Sequence, residues 1–537
     1  MTEVTKEDKN YVAAWVDYQA EKIIVLERDS KGTLFRKRYN PPYYFYVPDE
    51  EGEHTSLFDD KLCKVEFGTK EEYDFAKRHF PVKFESDIAP LKRVLMDNYY
   101  GRPAPPINYA LFDIEVDTKK ALGWADAKNP YAPINAVTVY QSWTGRYKIA
   151  ALPPPGWEGN EAAVLKSIQD LVQVPLDKID LRLCRDELEL LNLLVDWLSS
   201  ADIFSGWNSD FFDVPYLCER LLMAGGERLL LKLEHLGARA PKKELVNNFG
   251  EEKPIYRFSG KSHLDYMKLF KKFTFEGRTS YSLGNILEEE IGVGKLSFDG
   301  HFEDFYNKEF PKFISYNLRD VSGLVDLDKK FKFILTANQM AHESTVVFDS
   351  VLGTVAFVET AVINHAHYKF NRVIPDKVIK DNDKIEGAIV LTPTPGLYPW
   401  MGSVDLKSLY PNTVRSINIS PEMIVGEFTA NEVAWAEIRK GSDVRLTFIQ
   451  ESGEQHVATA LEWKKVLKKN NWAISGYGTV FDQGRGRGVI PDILGLWYSE
   501  RLQLQDKMEQ AQKKSIELVN TTGIQLDPEQ LAFLSSS

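Results

Sequence analysis

The chain has 537 residues, 43% hydrophobic and 27% charged, with 78 Asp and Glu against 66 Lys and Arg and a net charge of −12. This length suggests three or four domains at roughly 150 residues each, and the composition excludes a wholly disordered chain, a collagen-like fibre and a disulfide miniprotein. The acidic balance argues against a non-specific cationic coat for nucleic acid. It still allows an acidic nucleic-acid enzyme that uses carboxylates for metals. Cys63, Cys184 and Cys218 lie far apart, and the absence of any CxxC indicates neither a zinc site nor a disulfide framework. A reducing cytoplasm fits, and no run approaches the ~18 apolar residues that would predict a membrane span.

Residues 10–40 read as strands broken by Asp-Ser-Lys-Gly, and PPYYFYVP (41–48) as a strand between proline stops. The proline-rich GRPAPP (101–106) marks a domain boundary. From 107 to about 335 strands alternate with helices. YALFDIEV, INAVTVYQSW and DIFSGWN are strand-like, ELELLNLLVDWLSSA has helical periodicity, and VPYLCERLLMAGG is a helix closed by Gly225-Gly226. Residues 340–376 form a helical connector, in which His365 and His367 take packing or surface roles rather than binding a metal. A second β/α region starts near LYPWMGSVDLKSLYPN, and a long helix covers 490–518 with Pro491 in its first turn.

Three acidic elements punctuate the α/β block. Asp113 and Glu115 in LFDIEV lie two apart on a strand, hence on one face about 6.5–7 Å apart. Two carboxylates in an apolar strand repel and cost desolvation, which a divalent cation would relieve; a solvent-facing edge strand is the other reading. Asp213 in SGWNSDFFDVPYL follows Asn208 on a turn, either as a ligand or as the cap of the next helix. Tyr316 and Asp320 in ISYNLRDVSGL share a helix face, as a site pair or as a surface i,i+4 pair.

Taken together, D-x-E, N-x4-D and Y-x3-D at intervals of about a hundred residues resemble the three exonuclease motifs of proofreading DNA polymerases. The resemblance implies a ribonuclease-H-like 3′→5′ exonuclease domain. In it Asp113, Glu115, Asp213 and Asp320 hold two Mg²⁺ or Mn²⁺ ions and Tyr316 orients the attacking water. It also places Asn208 against DNA and Trp124, in the loop GWADAKNPYAP, against frayed terminal bases; for Trp124 the alternative is a ring that pins the loop.

SVDLKSLYPNTVRSINISPE (403–422) resembles motif A of family B DNA polymerases. The resemblance implies that Asp405 ends a strand and ligates the polymerase metals, and that the turn Leu406-Lys407-Ser408-Leu409 offers backbone N–H groups to a triphosphate. It further implies that Tyr410 lies beneath the incoming sugar. Lys407 departs from the smaller polar residue commoner in the T-even-like phage subgroup. Arg501 in WYSER resembles the first triphosphate-binding Arg of a fingers domain. Motif B, motif C and a thumb do not occur in these 537 residues.

The chain as a whole resembles the N-terminal part of T-even-like phage polymerases. The expected fold class is a mixed α/β and α+β multidomain chain. It has an N-terminal domain (1–106, with 340–375 returning to it), an exonuclease domain (107–339), the first part of the palm (376–463) and the first part of the fingers (464–537). The expected function is the N-terminal subunit of a two-chain replicative polymerase. The partners this implies are a DNA primer-template, a single-stranded 3′ end, dNTP, and a C-terminal chain with motifs B and C and the thumb, which would also reach a sliding clamp. Polymerase-site Mg²⁺ would require that second chain, and the host cytoplasm is the expected location. A stand-alone exonuclease with a vestigial palm, or a non-catalytic nucleic-acid-binding protein, are the alternatives.

Overall fold

The computed structural model describes residues 8–377 and 391–522, except 236, 249, 250, 275, 295, 297 and 299. Residues 523–537, the end of the expected fingers, and 378–390 of the expected palm lie outside the described residues. Two compact units emerge, one from Met1–Tyr44, Glu66–Asp74 and Ile88–Ala361, the other from Phe45–Val65, Phe75–Asp87 and Val362–Ser537. Among the described residues no helix is long and apolar enough to cross a membrane.

In the first unit β1 (Lys9–Asp17), β2 (Lys22–Asp29) and β3 (Leu34–Tyr39) form an antiparallel sheet in that order. The near-continuous apolar runs of β1 and β2 reflect burial on both faces, while β3 (LFRKRY) alternates exposed and half-buried residues. Tyr11, Ile23 and Val25 pack with Val94, Leu95 and Tyr99 of α1 (Pro90–Tyr99), while Val12, Trp15, Ile24 and Leu26 join the main core. The connector reaches this sheet, since the Tyr11 hydroxyl donates to the carbonyls of Ala341 and Val346 at 2.7 and 2.8 Å.

The central sheet contains β4 (Tyr109–Val116), β5 (Ile134–Gln141), β6 (Arg146–Ala151), β7 (Ile179–Leu183), β8 (Ile203–Ser205) and β9 (Ser262–His263), in the order β7-β6-β5-β4-β8-β9. β4, β5 and β6 form an antiparallel meander, and β7, β8 and β9 add in parallel to their neighbours. One face is covered by α2 (Glu187–Leu198), capped by the Asp186 side chain, and by α3 (Asp213–Leu231). The other face is covered by α5 (Phe310–Phe331), which packs along β4 and β5; α4 (Tyr266–Phe273) follows β9. The expected glycine stop in α3 is a break: Gly226 takes φ 64°, and helix resumes to Leu231.

An ion pair ties the two sheets of this unit together. Arg28 donates from Nε and Nη2 to the two Asp202 carboxylate oxygens at 2.8 and 3.0 Å, with both residues buried. Asp202 also accepts the backbone N–H of Asn108, just ahead of β4, at 2.7 Å.

The second unit carries α6 (Leu409–Ser416), a five-stranded antiparallel sheet, α7 (Asn431–Lys440), α8 (Ala460–Asn470) and α9 (Val489–Thr522). The sheet joins β10 (Ile424–Phe428), β11 (Arg445–Gln450), β12 (Gln455–Thr459), β13 (Trp472–Ile474) and β14 (Thr479–Asp482) in the order β12-β11-β10-β14-β13. Phe428, Phe448 and Trp463 meet at ring-centroid distances of 5.0–5.3 Å in its core. The palm–fingers division expected at 463/464 falls inside α8. A Thr459–Glu462 capping box starts that helix, and Trp463 and Leu467 bury its inner face. The basic run 464–469 is therefore mostly the outer face of a packed helix. His365 and His367 each meet a carboxylate, Asp492 at 2.8 Å and Glu85 at 2.5 Å respectively, in line with packing roles.

Candidate active site

β4 lies inside the sheet, between β5 and β8, which rules out the edge-strand reading of Asp113 and Glu115. Its burial alternates: Phe112, Ile114 and Val116 fill the core under α2 and α3, while Asp113 and Glu115 are half-exposed between them. α5 reaches this second pair, where Asn317 donates from Nδ2 to Asp113 Oδ2 at 2.8 Å.

Asp213 arrives from the other side. β8 pairs with β4 only as far as Leu111, and beyond its end the Ile114 N–H goes to Asp213 Oδ1 at 3.3 Å. The turn between β8 and α3 is pressed onto β4: a Cβ on Gly206 would stand 2.8 Å from the Phe112 carbonyl oxygen, so glycine is required there. Asp213 is the first residue of α3 but does not cap it; the preceding Phe212 makes no side-chain cap. Burial pushes the Asp213 carboxyl up to about 7. The nearby negative charge of Asp265 adds to this, against the hydrogen bond from Ile114 and the charge of His263.

Asp320 is 5% exposed, so the surface i,i+4 pair is also corrected; α5 packs its Asp320 side inward. The Tyr316 ring stands edge-on to Phe298 and Phe305, at 5.9 Å from each. Trp124 is 75% exposed and its ring lies 6.2 Å from Phe302. Its loop is also held by Lys120 N–H to Glu303 at 2.8 Å.

The sequence reading passed over the wall behind Asp213. Asp265 accepts the backbone N–H groups of Asn208 and Asp210, at 3.1 and 3.3 Å, and holds Asn208 in a left-handed turn at φ 58°. His263 faces Ser209 Oγ through Nε2 at 2.8 Å and Asp210 through Nδ1 at 3.0 Å, and Lys268 pairs with Asp210. It also passed over Asn317, for which the one available signal was its place three residues before Asp320 on the same helix face.

Among the described residues no three His, Cys, Asp or Glu side chains stand close enough to share one ion. The donors that converge on β4 are all carboxylate oxygens, the chemistry Mg²⁺ prefers. Mg²⁺ is commonly held by one or two carboxylates, with waters and substrate phosphates completing its shell. The buried Asp213 carboxyl is a group that a neighbouring cation would stabilise in its ionised form.

On the second unit, Arg501 Nη1 lies 3.4 Å from Ser408 Oγ, joining the turn before α6 to α9. The Arg415 guanidinium sits over the Tyr498 ring at 5.1 Å and reinforces that packing. Asp405 does not end a strand: residues 401–406 have no strand assignment, and Asp405 and Leu406 are exposed. A strand needs a neighbour to take its N–H and C=O groups, and no described residue pairs with this segment. Tyr410 is 74% exposed, and Leu409 opens α6.

Residues 77–286 match the exonuclease domain of DNA polymerase family B, and residues 346–533 match DNA polymerase family B. The chain is similar to the DNA-directed DNA polymerase of Escherichia phage RB69, 34% identical over 60% of this chain and 36% of that protein. It is similar to the DNA-directed DNA polymerase of Enterobacteria phage T4, 28% identical over 73% of this chain and 45% of that protein. DNA polymerase 1 of Sulfolobus acidocaldarius is 26% identical over 53% of this chain and 33% of its own length. The matches thus span between a third and a half of these relatives.

Proposed function

The chain belongs to DNA polymerase family B, and from that premise we propose that it is the N-terminal part of a two-chain replicative polymerase, carrying 3′→5′ proofreading and the motif A portion of the polymerase site. The observation that carries the exonuclease reading is the meeting on β4 of two distant segments, Asp213 at Ile114 and Asn317 at Asp113. Asp113, Glu115, Asp213 and Asp320 would hold two Mg²⁺ or Mn²⁺ ions, which when bound activate water and neutralise charge on the leaving 3′ oxygen. Tyr316, its ring wedged by phenylalanines, orients the attacking water with its hydroxyl. Asn317 fixes the rotamer of Asp113.

Incubating the purified chain with a 5′-labelled single-stranded oligonucleotide and Mg²⁺ tests this reading. Stepwise shortening from the 3′ end is expected. No shortening with either Mg²⁺ or Mn²⁺, or release from the 5′ end, overturns it.

Two further results follow from the geometry. Asp213 must lose its proton to act as a ligand, and its carboxyl sits near 7. At limiting Mg²⁺ the exonuclease rate should therefore rise with pH between about 6 and 8. Since metal and proton compete for the carboxylate, more Mg²⁺ should move that rise to lower pH. A flat profile at limiting metal contradicts it. Separately, the exposed Trp124 stacks on a terminal base, a contact worth roughly 1–3 kcal/mol. Trp124→Ala should weaken binding of a short single strand by about five- to a hundredfold with an unchanged melting temperature. Equal affinity by fluorescence anisotropy removes that role.

The polymerase half of the proposal rests on motif A, with Asp405, Ser408, Tyr410 and Arg501, together with its exposure. Leu397, Trp400 and Val404 are 98, 100 and 93% exposed in a segment with no strand pairing. An apolar run of this kind calls for a covering polypeptide. The second chain, with motifs B and C, fills that role and completes the Mg²⁺ site with Asp405.

A further inference from the structure

The buried groups behind Asp213 make no contact with a substrate position, yet they converge on the turn that presents it. The turn from Gly206 to Phe212 makes bonds of its own or with the start of α3, among them Ser209 Oγ to the Gly206 carbonyl at 3.0 Å, Phe211 N–H to the Asn208 carbonyl at 3.3 Å, and Val214 N–H to the Ser209 carbonyl at 3.0 Å. Further support comes from more than fifty positions later in the chain, from residues 263–268 and from the Tyr281 carbonyl, which takes the Trp207 indole N–H at 3.0 Å. Asp265 takes two backbone N–H groups of the turn, at Asn208 and Asp210. His263 bridges the Ser209 hydroxyl and the Asp210 carboxylate at 2.8 and 3.0 Å. Ser209 and Asp265 are both fully buried, and His263 is 8% exposed.

We propose that His263, bridging Ser209 and Asp210, is a positioning residue that locks the β8–α3 turn so that Asp213 faces the metal position beside β4. The inference rests on the exonuclease reading and goes beyond it by assigning a role to a residue that touches neither DNA nor metal. A carboxylate only accepts hydrogen bonds, so Nδ1 of His263 carries the proton shared with Asp210. That leaves Nε2 for Ser209 and fixes the ring in one orientation. Burial alone would raise the Asp210 carboxyl, but His263 and Lys268 outweigh it and hold the group well below the usual carboxylate range. Without the imidazole the half-buried Asp210 carboxylate would rely on the Lys268 ammonium for its charge pairing. The turn would then relax, carrying Asp213 three residues on. Partners that orient metal ligands from behind typically control affinity or activity by about 10–100-fold.

The test compares the full chain with His263→Ala and His263→Asn, in which Asn keeps an N–H near the Nδ1 position. Three quantities are measured: Mn²⁺ affinity by electron paramagnetic resonance, exonuclease kcat and KM on a short oligonucleotide, and the melting temperature. His263→Ala should weaken Mn²⁺ binding and lower kcat by roughly tenfold or more with KM within about twofold, and His263→Asn should recover most of both. Wild-type Mn²⁺ affinity and kcat in the alanine variant overturn the proposal. Equal losses in the two variants also overturn it, because ring volume rather than the donated hydrogen bond would then be at work. If the alanine variant does not fold, His263→Asn is read against Ser209→Ala. Asn with wild-type metal affinity and Ser209→Ala weakened supports the bridge; the reverse order overturns it. A wild-type chain that binds Mn²⁺ without cutting DNA defeats the exonuclease reading while the Mn²⁺ comparison still decides the bridge. One that neither binds nor cuts defeats both.

Discussion

Replacing Asp113 and Glu115 together by alanine is expected to lower exonuclease turnover about 10³-fold or more while leaving the chain folded. The two carboxylates share the α5 side of an interior strand, and the residues between and beside them, Phe112, Ile114 and Val116, carry the packing. Removing the acids therefore removes little buried apolar area. What is lost is several kcal/mol of charge stabilisation at the reacting phosphate, and each ~1.4 kcal/mol is worth a factor of ten in rate. The measurement is mononucleotide release from a 3′-labelled single strand, with melting temperature as the control for folding. Release by the double variant at the wild-type rate identifies the activity as a contaminating nuclease.

The other large effect falls on synthesis. With a second chain carrying motifs B and C present, primer extension should occur, and Asp405→Ala in this chain should abolish it, by at least about 10³-fold for loss of a carboxylate that would ligate the polymerase metal. Exonuclease activity should survive, because Asp405 belongs to the second compact unit while Asp113, Glu115, Asp213 and Asp320 belong to the first. Extension by this chain alone rules out the two-chain reading, as does a second chain that neither binds it nor restores synthesis. Coupled loss of both activities in Asp405→Ala would mean that the substitution acts through folding instead.

Where the physics is local, the sequence was readable. The alternation in LFDIEV, the helical periodicity of ELELLNLLVDWLSSA and the proline in the first turn of α9 are each set by residues within a few positions of one another. The acidic residues were legible as candidates for the same reason, but their surroundings were not. Whether Asp213 caps its own helix or turns to β4 depends on where β8 stops, and whether Asp320 is exposed depends on how α5 lies across the sheet. Asn317 carried no signal in isolation, since asparagine within a helix is uninformative until its neighbour across the fold is known. The Ser209–His263–Asp210 bridge spans more than fifty residues and leaves no trace in any local window. That the expected palm–fingers boundary falls within α8 has a similar origin: what makes 460–470 one helix is the packing of Trp463 and Leu467 on strands distant in sequence. Asp405 failed as a strand end because a strand is a property of two segments, and only one of them was in view.

The Arg28–Asp202 pair decides whether the nuclease can be separated as a module. Asp202 sits at the entrance to β8, and its cation comes from β2, outside the stretch 107–339. Val12, Trp15, Ile24 and Leu26 of the amino-terminal sheet share one core with Ile314 and Leu318 of α5. Excision of 107–339 would bare that surface and leave a buried anion without its partner, and breaking a buried pair costs about 3–5 kcal/mol. That is a large fraction of the roughly 5–15 kcal/mol by which a folded domain is stable. A minimal nuclease trimmed at the proline joint should therefore be recovered as insoluble or protease-sensitive material, and a transplantable one must carry the first three strands with it. For any chimaera, the amino-terminal sheet and the stretch 107–339 therefore form one transferable piece, held by a shared core and a buried charge pair.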